Sequence, residues 1–246
     1  MSRNRKRTGL ALDGILLVDK PQEWTSHDVV NFVKGRYRLA KVGHGGTLDP
    51  MATGLLVLLL GKGTKASQSV MEGAKVYEGT LTLGVTTDSQ DADGAPVETR
   101  PVPADLTRET VENVLQKFIG DIEQIPPMVS ALKKDGVPLY KLARKGETVE
   151  REARSLTIHS LEITDFDPPR IGLRTRCSKG TYVRTLAHDI GAELGCGAHL
   201  SALRRTASGP FDVESAVTVD ALRDMPLEEM QALLLPPTLP PLQPGA

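Results

Sequence analysis

The segment GHGGTLDPMATG at residues 43–54 constrains the fold of this chain more than any other stretch. Four of its twelve residues are glycine and one is proline, so the segment is predicted to form a loop rather than a regular element. The apolar run Leu55–Leu60 follows at once and predicts a buried strand or a short buried helix, between which the pattern cannot decide. The fold must therefore hold a constrained loop next to a buried element.

Hydrophobic periodicity predicts strands and helices in irregular order along the rest of the chain. The helix near the N-terminus is expected to begin with Ser26 as its N-cap and to run to about Arg38. A flexible acidic loop is expected at Asp88–Pro96. The other predicted elements are strands at Gly14–Asp19, Lys75–Gly84, Leu156–Phe166 and Arg170–Cys177, and helices at 107–119 and Thr181–Leu194. Because there is no regular βαβ alternation, the fold class is α+β, with a central mixed, largely antiparallel sheet flanked by helices.

Length and cysteine content narrow the class of protein. A chain of 246 residues fits one large domain or one domain with a small appendage. Cys177 and Cys196 are isolated in sequence, which favours two ordinary buried thiols in a reduced compartment over a redox or zinc site. The N-terminus has no apolar run of signal-peptide type, and Leu55–Leu60 is too short to span a membrane. A soluble, cytoplasmic protein is expected.

The charge is segregated along the chain although its net value is only −1. Residues 86–124 carry nine acidic and three basic side chains, and residues 212–231 carry six acidic and one basic. Basic residues instead gather in three groups: Arg3, Arg5, Lys6 and Arg7; Arg170, Arg174, Arg176, Lys179 and Arg184; and Arg204 with Arg205. Such segregation can give a positive face for nucleic-acid phosphates, although any one group alone is more typical of a solvated surface.

Asp49 is the carboxylate that the glycine-rich loop would present. Glycines let the backbone approach a ligand closely, and Pro50 stiffens the position that follows Asp49. An aspartate before a proline is also common in ordinary turns. A phosphate-binding loop is a further alternative, but no Gly-Lys-Ser/Thr follows at the required spacing. The residues by themselves leave a catalytic and a structural aspartate equally open.

Seven segments together resemble the TruB family of tRNA pseudouridine synthases. The resemblance covers roughly residues 14–215 and keeps the family order. The segments are GILLVDKPQEWTSHDVV at 14–30, KVGHGGTLDPMATGLL at 41–56, GKGTK at 61–65, KVYEGTLTLGVTTDSQDADG at 75–94, IPPMVSALKKDGVPLYKLARKGETVEREAR at 125–154, CSKGTYVRTLAHDIG at 177–191 and HLSALRRTASGPF at 199–211. The family's pseudouridine synthase fold is therefore expected.

The resemblance implies a role for each matching residue. Asp49 matches the family's nucleophilic aspartate, and Arg184 matches the arginine that pairs with it. Tyr77 matches the tyrosine that stacks on the target base. His44 matches a histidine that contacts the T loop beside the flipped nucleotide, while Tyr182 and Leu203 match further substrate contacts. The implied activity is conversion of the uridine at position 55 in the T loop of tRNA into pseudouridine.

This chemistry agrees with the residue types. The reaction breaks the N-glycosidic bond and rejoins C1′ to C5 without gain or loss of atoms or electrons, so neither a cofactor nor a metal is expected. The nucleotide must leave its stack to be reached, and an aromatic side chain suits a flipped base. A carboxylate beside an arginine stays ionised and oriented. Attack on C1′, attack on C6 and abstraction of the C2′ proton all remain open for Asp49 at the sequence level.

Four regions are expected along the chain: a basic N-terminal extension at 1–13, the catalytic domain at 14–211, a short helical segment at 212–235 and a disordered proline-rich tail at 236–246. Because the end is short and rich in proline, it is not expected to form the C-terminal PUA-type RNA-binding domain of many family members. The T arm of tRNA is the expected partner, and a monomer without a protein partner is expected. A non-catalytic tRNA-binding or tRNA-folding module of the same fold and a small-molecule hydrolase are the alternatives.

Overall fold

The structure is a computed structural model that describes residues 9–130, 133–134, 136–139, 142, 147 and 149–238. The basic residues at positions 3–7 and most of the proline-rich tail, residues 239–246, lie outside the described residues. The chain divides into two compact units. The first unit comprises the chain up to Val76 and again from Arg204 onward, and the second is Tyr77–Leu203. The four regions expected from the sequence stay predictions.

The elements are as follows. The strands are β1 (Gly14–Lys20), β2 (Val42–His44), β3 (Thr53–Leu60), β4 (Lys75–Leu83), β5 (Val85–Thr87), β6 (Pro96–Thr99), β7 (Gly120–Gln124), β8 (Lys133–Lys134), β9 (Val137–Pro138), β10 (Arg154–Asp167), β11 (Arg170–Cys177), β12 (Ala198–Ser208), β13 (Phe211–Asp212) and β14 (Val217–Thr218). The α-helices are α1 (Ser26–Arg36), α2 (Ser67–Glu72), α3 (Arg108–Gln116), α4 (Val183–Glu193), α5 (Val219–Asp224) and α6 (Leu227–Ala232), and short 3-10 helices lie at Gly61–Ala66 and Val213–Ser215.

In the first unit the strand order is β14, β1, β3 and the C-terminal part of β12. β1 is antiparallel to β3 and parallel to β14, and β3 is parallel to β12. β2 adds to β3 and β13 adds to β12, both antiparallel. In the second unit the order is β12, β4, β11, β10 and β7, with β10 antiparallel to both of its neighbours. The predicted α+β class with a mixed, largely antiparallel sheet is confirmed.

The core of the first unit explains why the apolar run Leu55–Leu60 is a strand. Every residue of that run is buried, as is nearly all of β1, so both faces of the β1–β3 pair are covered. Strands covered on both faces carry continuous apolar runs instead of alternation. One face of the pair contributes to a core cluster that comprises Ile15, Leu17, Leu55, Val57, Leu59, Val70 and Phe211. The ambiguity in the sequence is thereby settled in favour of a strand.

Strand β4 of the second unit follows the predicted alternation, whereas β5, β6, β7 and β12 were not predicted from the sequence. In β4 the residues Leu81 and Leu83 are buried on the side of the strand that Tyr77 shares, as the alternation predicts. Cys177 and Cys196 are both buried thiols, as expected. Within the part of the chain that the structure describes, no helix is long and apolar enough to cross a membrane.

Two local predictions were wrong. Helix α1 has Thr25, not Ser26, as its N-cap, and it ends at Arg36. Ser26 is instead buried and turned toward the loop that follows β2.

The segment Asp88–Pro96 is not a loose loop, because Asp91 is only 3% exposed and its carboxylate accepts hydrogen bonds from Ser89 Oγ at 2.5 Å and from the Asp93 N–H at 3.1 Å. Local composition does not reveal that a tertiary partner requires this carboxylate.

The N-cap of α1 generates a stability prediction. Thr25 and Asp28 form a capping box, in which the Asp28 N–H donates to Thr25 Oγ1 at 3.1 Å and the Thr25 N–H donates to Asp28 Oδ2 at 2.8 Å. Thr25→Ala should destabilise the protein by about 1 kcal/mol, because the loss of a capping oxygen leaves a helix N–H without its acceptor. Thermal unfolding should show a Tm lower by roughly 2–4 °C.

Thr25→Ser is the matched control because serine keeps the capping oxygen, and its Tm should stay close to that of the unsubstituted protein. An equal loss of Tm for the serine and alanine variants would contradict the capping assignment.

Candidate active site

Asp49 lies on the loop between β2 and β3, which we call the Asp49 loop and define as residues 45–52. Leu48, just before Asp49, is held by Ser26: its N–H donates to Ser26 Oγ at 2.8 Å, and Ser26 Oγ donates to its carbonyl at 3.1 Å. The Ala52 N–H closes a turn on the carbonyl of Asp49 at 3.1 Å. The backbone on both sides of the carboxylate is therefore fixed.

Lys20 supports the residue after Asp49. Its side chain is fully buried, and its Nζ donates to the carbonyls of Pro21 at 2.8 Å, Trp24 at 2.6 Å and Pro50 at 3.3 Å. Burial lowers the pKa of Lys20 to about 8, while the negative charge of Asp49 acts in the opposite direction. The same attraction favours a negative charge on Asp49. The fold therefore brings a carboxylate near a buried ammonium group.

Arg205 supports the loop from β12. It is 2% exposed and pairs in parallel register with Gly54 at the start of β3. Gly54 has a φ of +98°, and a Cβ there would lie 2.3 Å from the carbonyl oxygen of Arg205. Only glycine permits this approach of the two strands. The approach brings the guanidinium of Arg205 within hydrogen-bonding distance of the Asp49 loop, where it donates to the carbonyls of Gly46 and Thr47.

His44 precedes the Asp49 loop on β2, where it pairs with Leu58 of β3. Its Nδ1 accepts a hydrogen bond from the Gly46 N–H at 3.4 Å. Burial, followed by the positive charge of Arg205, lowers the pKa of His44 below its ordinary value. At neutral pH the ring is therefore neutral, and since Nδ1 is an acceptor its proton lies on Nε2, which is available to donate.

Tyr77 lies on β4 in the second unit and is half-buried. It lines an apolar pocket together with Gly79, Leu161, Leu173, Thr175, Val183, Leu186, Ala187 and Leu200. Leu203, on β12 of the same unit, lies beside Gly79, with its Cδ1 3.4 Å from the position of a Cβ on that glycine. An aromatic ring over apolar side chains offers a stacking surface for a base.

Arg184 lies in the first turn of α4 as its second residue, two positions after the N-cap residue Tyr182. Its Nη1 is 3.4 Å from Asp91 Oδ2 and its Nη2 donates to the carbonyl of Val129 at 2.7 Å. Both members of the Arg184–Asp91 ion pair are almost fully buried, so each compensates the other's charge. The guanidinium also lies 5.7 Å from the centre of the Tyr182 ring.

The six site residues expected from the sequence thus fall into two sets. His44 and Asp49 belong to the first unit, and Tyr77, Tyr182, Arg184 and Leu203 belong to the second. Sequence reasoning missed four residues that support these sets: Lys20, Ser26, Asp91 and Arg205. A lysine at the end of an apolar strand was a usable signal for Lys20, because a charge in such a position needs partners. Nothing in the local pattern distinguishes Arg205 from its neighbour Arg204.

Two of the three basic groups offer less positive charge to phosphates than the sequence alone indicates. Arg205 cannot contact phosphates because it is buried, whereas Arg204 is partly exposed and forms an ion pair with Asp19, with Nη2 2.6 Å from Oδ2. Along β11, Arg174 lies opposite Glu162 and Arg170 opposite Asp167 of β10. Carboxylates on the neighbouring strand therefore reduce the positive charge that the sequence alone indicates. Among the described residues, no group of three or more His, Cys, Asp or Glu side chains is arranged to hold a metal ion.

The chain is similar to known proteins along most of its length. Residues 34–183 match the family model described as TruB family pseudouridylate synthase (N terminal domain), and residues 184–242 match the tRNA pseudouridylate synthase B C-terminal domain. It is 54% identical over 225 residues to tRNA pseudouridine synthase B of Opitutus terrae, which covers 92% of this chain and 93% of that protein. It is 53% identical to the protein of the same name in Syntrophotalea carbinolica, covering 91% of this chain and 73% of that protein.

Solved structures agree in fold. A Cbf5–Nop10–Gar1 complex contains a chain that is 31% identical with a TM-score of 0.72, and the match covers 91% of this chain and 60% of that chain. An H/ACA RNP bound to a substrate RNA containing 2′-deoxyuridine gives 28% identity and a TM-score of 0.68, covering 91% and 59%. This chain thus spans about three fifths of those two chains. With two family models matched in order and relatives more than half identical over almost its whole length, the chain belongs to the TruB family and is a tRNA pseudouridine synthase.

Proposed function

We propose that the chain isomerises the uridine at position 55 in the T loop of tRNA to pseudouridine, with Asp49 as the nucleophile. The observation that carries this proposal is the way Asp49 is held. Leu48 before it and Pro50 after it are both held at their carbonyls by buried donors, from Ser26 and Lys20 respectively, while Asp49 itself is half-buried. A carboxylate presented from a fixed backbone suits reaction with a bound substrate.

The proposed reaction balances without a cofactor or a metal ion. The bond between N1 of the base and C1′ of the ribose breaks, the base turns, and a bond forms between C5 and C1′. The proton on C5 leaves and N1 gains one, so the composition of the nucleotide is unchanged. An ionised Asp49 is needed for nucleophilic attack, and the nearby ammonium of Lys20 favours that charge.

Residues of both units are proposed to bind the flipped nucleotide. Tyr77 stacks on the uracil ring, with the apolar pocket beside it excluding water from the base. The neutral His44 donates a hydrogen bond from Nε2 to the T loop. Tyr182 and Leu203 supply further contacts with the substrate.

Arg184 is proposed to orient the Asp49 carboxylate. The guanidinium of Arg184 is itself fixed by Asp91 and by the carbonyl of Val129, so it can donate further hydrogen bonds only in a restricted direction. A fixed arginine favours the ionised form of a carboxylate and selects one orientation of it.

The expected substrate and setting complete the proposal. The T arm of tRNA is the part that the enzyme recognises, and a monomer acts without a protein partner in the cytoplasm. The name shared by the relatives supports a tRNA substrate. Turnover of a T-arm hairpin by the purified chain, with its mass measured in solution, tests the substrate and the monomer together.

Asp49→Asn should abolish pseudouridine formation, because asparagine keeps the shape of the side chain but removes its charge. Binding of tRNA and the Tm should stay near the unsubstituted values. The measurement is release of tritium from T-loop uridine labelled at C5, with the exposed Asp105→Asn as the matched control. A rate above about one tenth of the unsubstituted rate would exclude Asp49 as the nucleophile.

Tyr77→Ala should lower kcat/KM for tRNA by about ten-fold or more, because base stacking contributes roughly 1–3 kcal/mol. Tyr77→Phe keeps the ring and should bind tRNA normally. If the hydroxyl takes part in proton transfer, the phenylalanine variant will bind well and turn over slowly. Comparing kcat and KM for both variants checks this, and equal, unimpaired turnover would place Tyr77 outside the active site.

Arg184→Lys should lower turnover by about 10- to 100-fold, since lysine keeps the charge but loses the planar fork that orients a carboxylate. Single-turnover kinetics below the Tm are the appropriate measurement. Arg108→Lys is the matched control, because Arg108 is exposed and forms its ion pair with Glu112 within α3. Full activity of Arg184→Lys would argue against an Arg184–Asp49 pairing.

A further inference from the structure

The two ends of the Asp49 loop are joined by one buried guanidinium. Arg205 Nε donates to the carbonyl of Leu55 at 2.8 Å, Nη1 donates to that of Thr47 at 3.2 Å, and Nη2 donates to that of Gly46 at 3.2 Å. Gly46 and Thr47 precede Asp49, whereas Leu55 follows the loop on β3. A single planar group therefore sets the distance between the chain entering the loop and the chain leaving it.

Arginine is the one side chain that can make this connection. Its guanidinium presents five N–H donors in a rigid fork, so three carbonyls in different directions can be bound at once. A lysine offers one nitrogen, which cannot reach all three, and a neutral amide offers two donors. Loss of these bonds would also remove the Arg205 donor from the buried carbonyl of Leu55 and from the part-buried carbonyls of Gly46 and Thr47.

The backbone of Arg205 is as constrained as its side chain. Arg205 pairs with Gly54, and the approach is so close that any other residue at position 54 would clash with the Arg205 main chain. The base of the side chain is thus fixed against the end of the loop, and its tip against the beginning. Movement of β12 would move both ends of the loop together.

We infer that Arg205 is a positioning residue that holds the Asp49 loop in the conformation from which the carboxylate reacts. It is too buried to contact RNA, so it acts only through the loop. The inference rests on the proposed role of Asp49 as the nucleophile. Arg205 therefore positions the Asp49 loop and does not bind phosphate, in contrast to the phosphate contact that the sequence suggested for Arg204 and Arg205 alike.

The test compares Arg205→Lys and Arg205→Ala with the unsubstituted protein under single-turnover conditions, at a temperature below the Tm of every variant. We expect the chemical rate to fall about 100-fold or more, because small misplacements of a catalytic group cost that much. The Kd for tRNA should change by less than about three-fold, since the buried side chain contributes no phosphate contact. Millimolar guanidinium ion should partly restore the rate of Arg205→Ala by occupying the vacated space.

Arg36→Lys is the matched control. Arg36 also donates to two main-chain carbonyls within the first unit, those of Arg223 at 2.8 Å and Met225 at 3.2 Å, but neither belongs to the Asp49 loop. Its rate should equal that of the unsubstituted protein even if its Tm falls. A structural role alone would lower the Tm of the Arg205 variants without slowing the reaction below that temperature.

The outcomes separate this inference from the proposed function. If Asp49→Asn is inactive while folded Arg205→Lys or Arg205→Ala reacts at the full rate, the positioning role is overturned and the proposed function stands. If Asp49→Asn remains active, the proposed function itself fails. Should Arg205→Ala not fold, Arg205→Lys decides the question, because it retains the charge and most of the volume. A rate loss matched by an equal loss of tRNA affinity would also overturn the inference, since it would indicate a binding role.

Discussion

The parallel contact of β12 with β3 at Arg205 and Gly54 is the constraint on which the candidate site depends. Gly54 allows the two strands to approach, and the approach carries a buried guanidinium to both ends of the Asp49 loop. A residue that comes late in the chain thereby fixes a loop near its beginning. The constraint also explains how an eight-residue loop rich in glycine can hold one conformation despite the entropy that glycine brings.

Two buried cations, Lys20 and Arg205, hold the Asp49 loop. Lys20 fixes Pro50 and Arg205 fixes Gly46 and Thr47, in each case through main-chain carbonyls. Carbonyl oxygens partly compensate the cost of burying a positive charge, and the remaining positive potential acts on the Asp49 carboxylate. Burial, followed by the positive charge of Arg205, lowers the pKa of His44, so this histidine is neutral at neutral pH.

In the second unit the buried charge of Arg184 is compensated by a carboxylate instead of by main-chain carbonyls alone. Arg184 is buried against Asp91, and that carboxylate is held by Ser89 and by the backbone of the acidic turn. An arginine whose partner is itself fixed has little rotational freedom, which is what orientation of a second carboxylate would require. The acidic turn, which composition marks as a loose surface loop, is thus a part of the support for Arg184.

The sequence by itself determined the α+β class, the bounds of the strands and helices that it predicted to within a few residues, and the family, because periodicity and motif order are properties of the chain alone. It also placed Asp49 on a constrained loop. It did not predict β12, the strand that carries Arg205. Only the tertiary structure decided that Leu55–Leu60 is a strand, that Ser26 serves the Asp49 loop instead of capping α1, and that Arg204 and Arg205 have different environments. The physical reason is that burial and hydrogen-bond partners are set by residues far apart in sequence, such as Gly54 and Arg205, and no local pattern encodes which distant segment will lie against a given side chain.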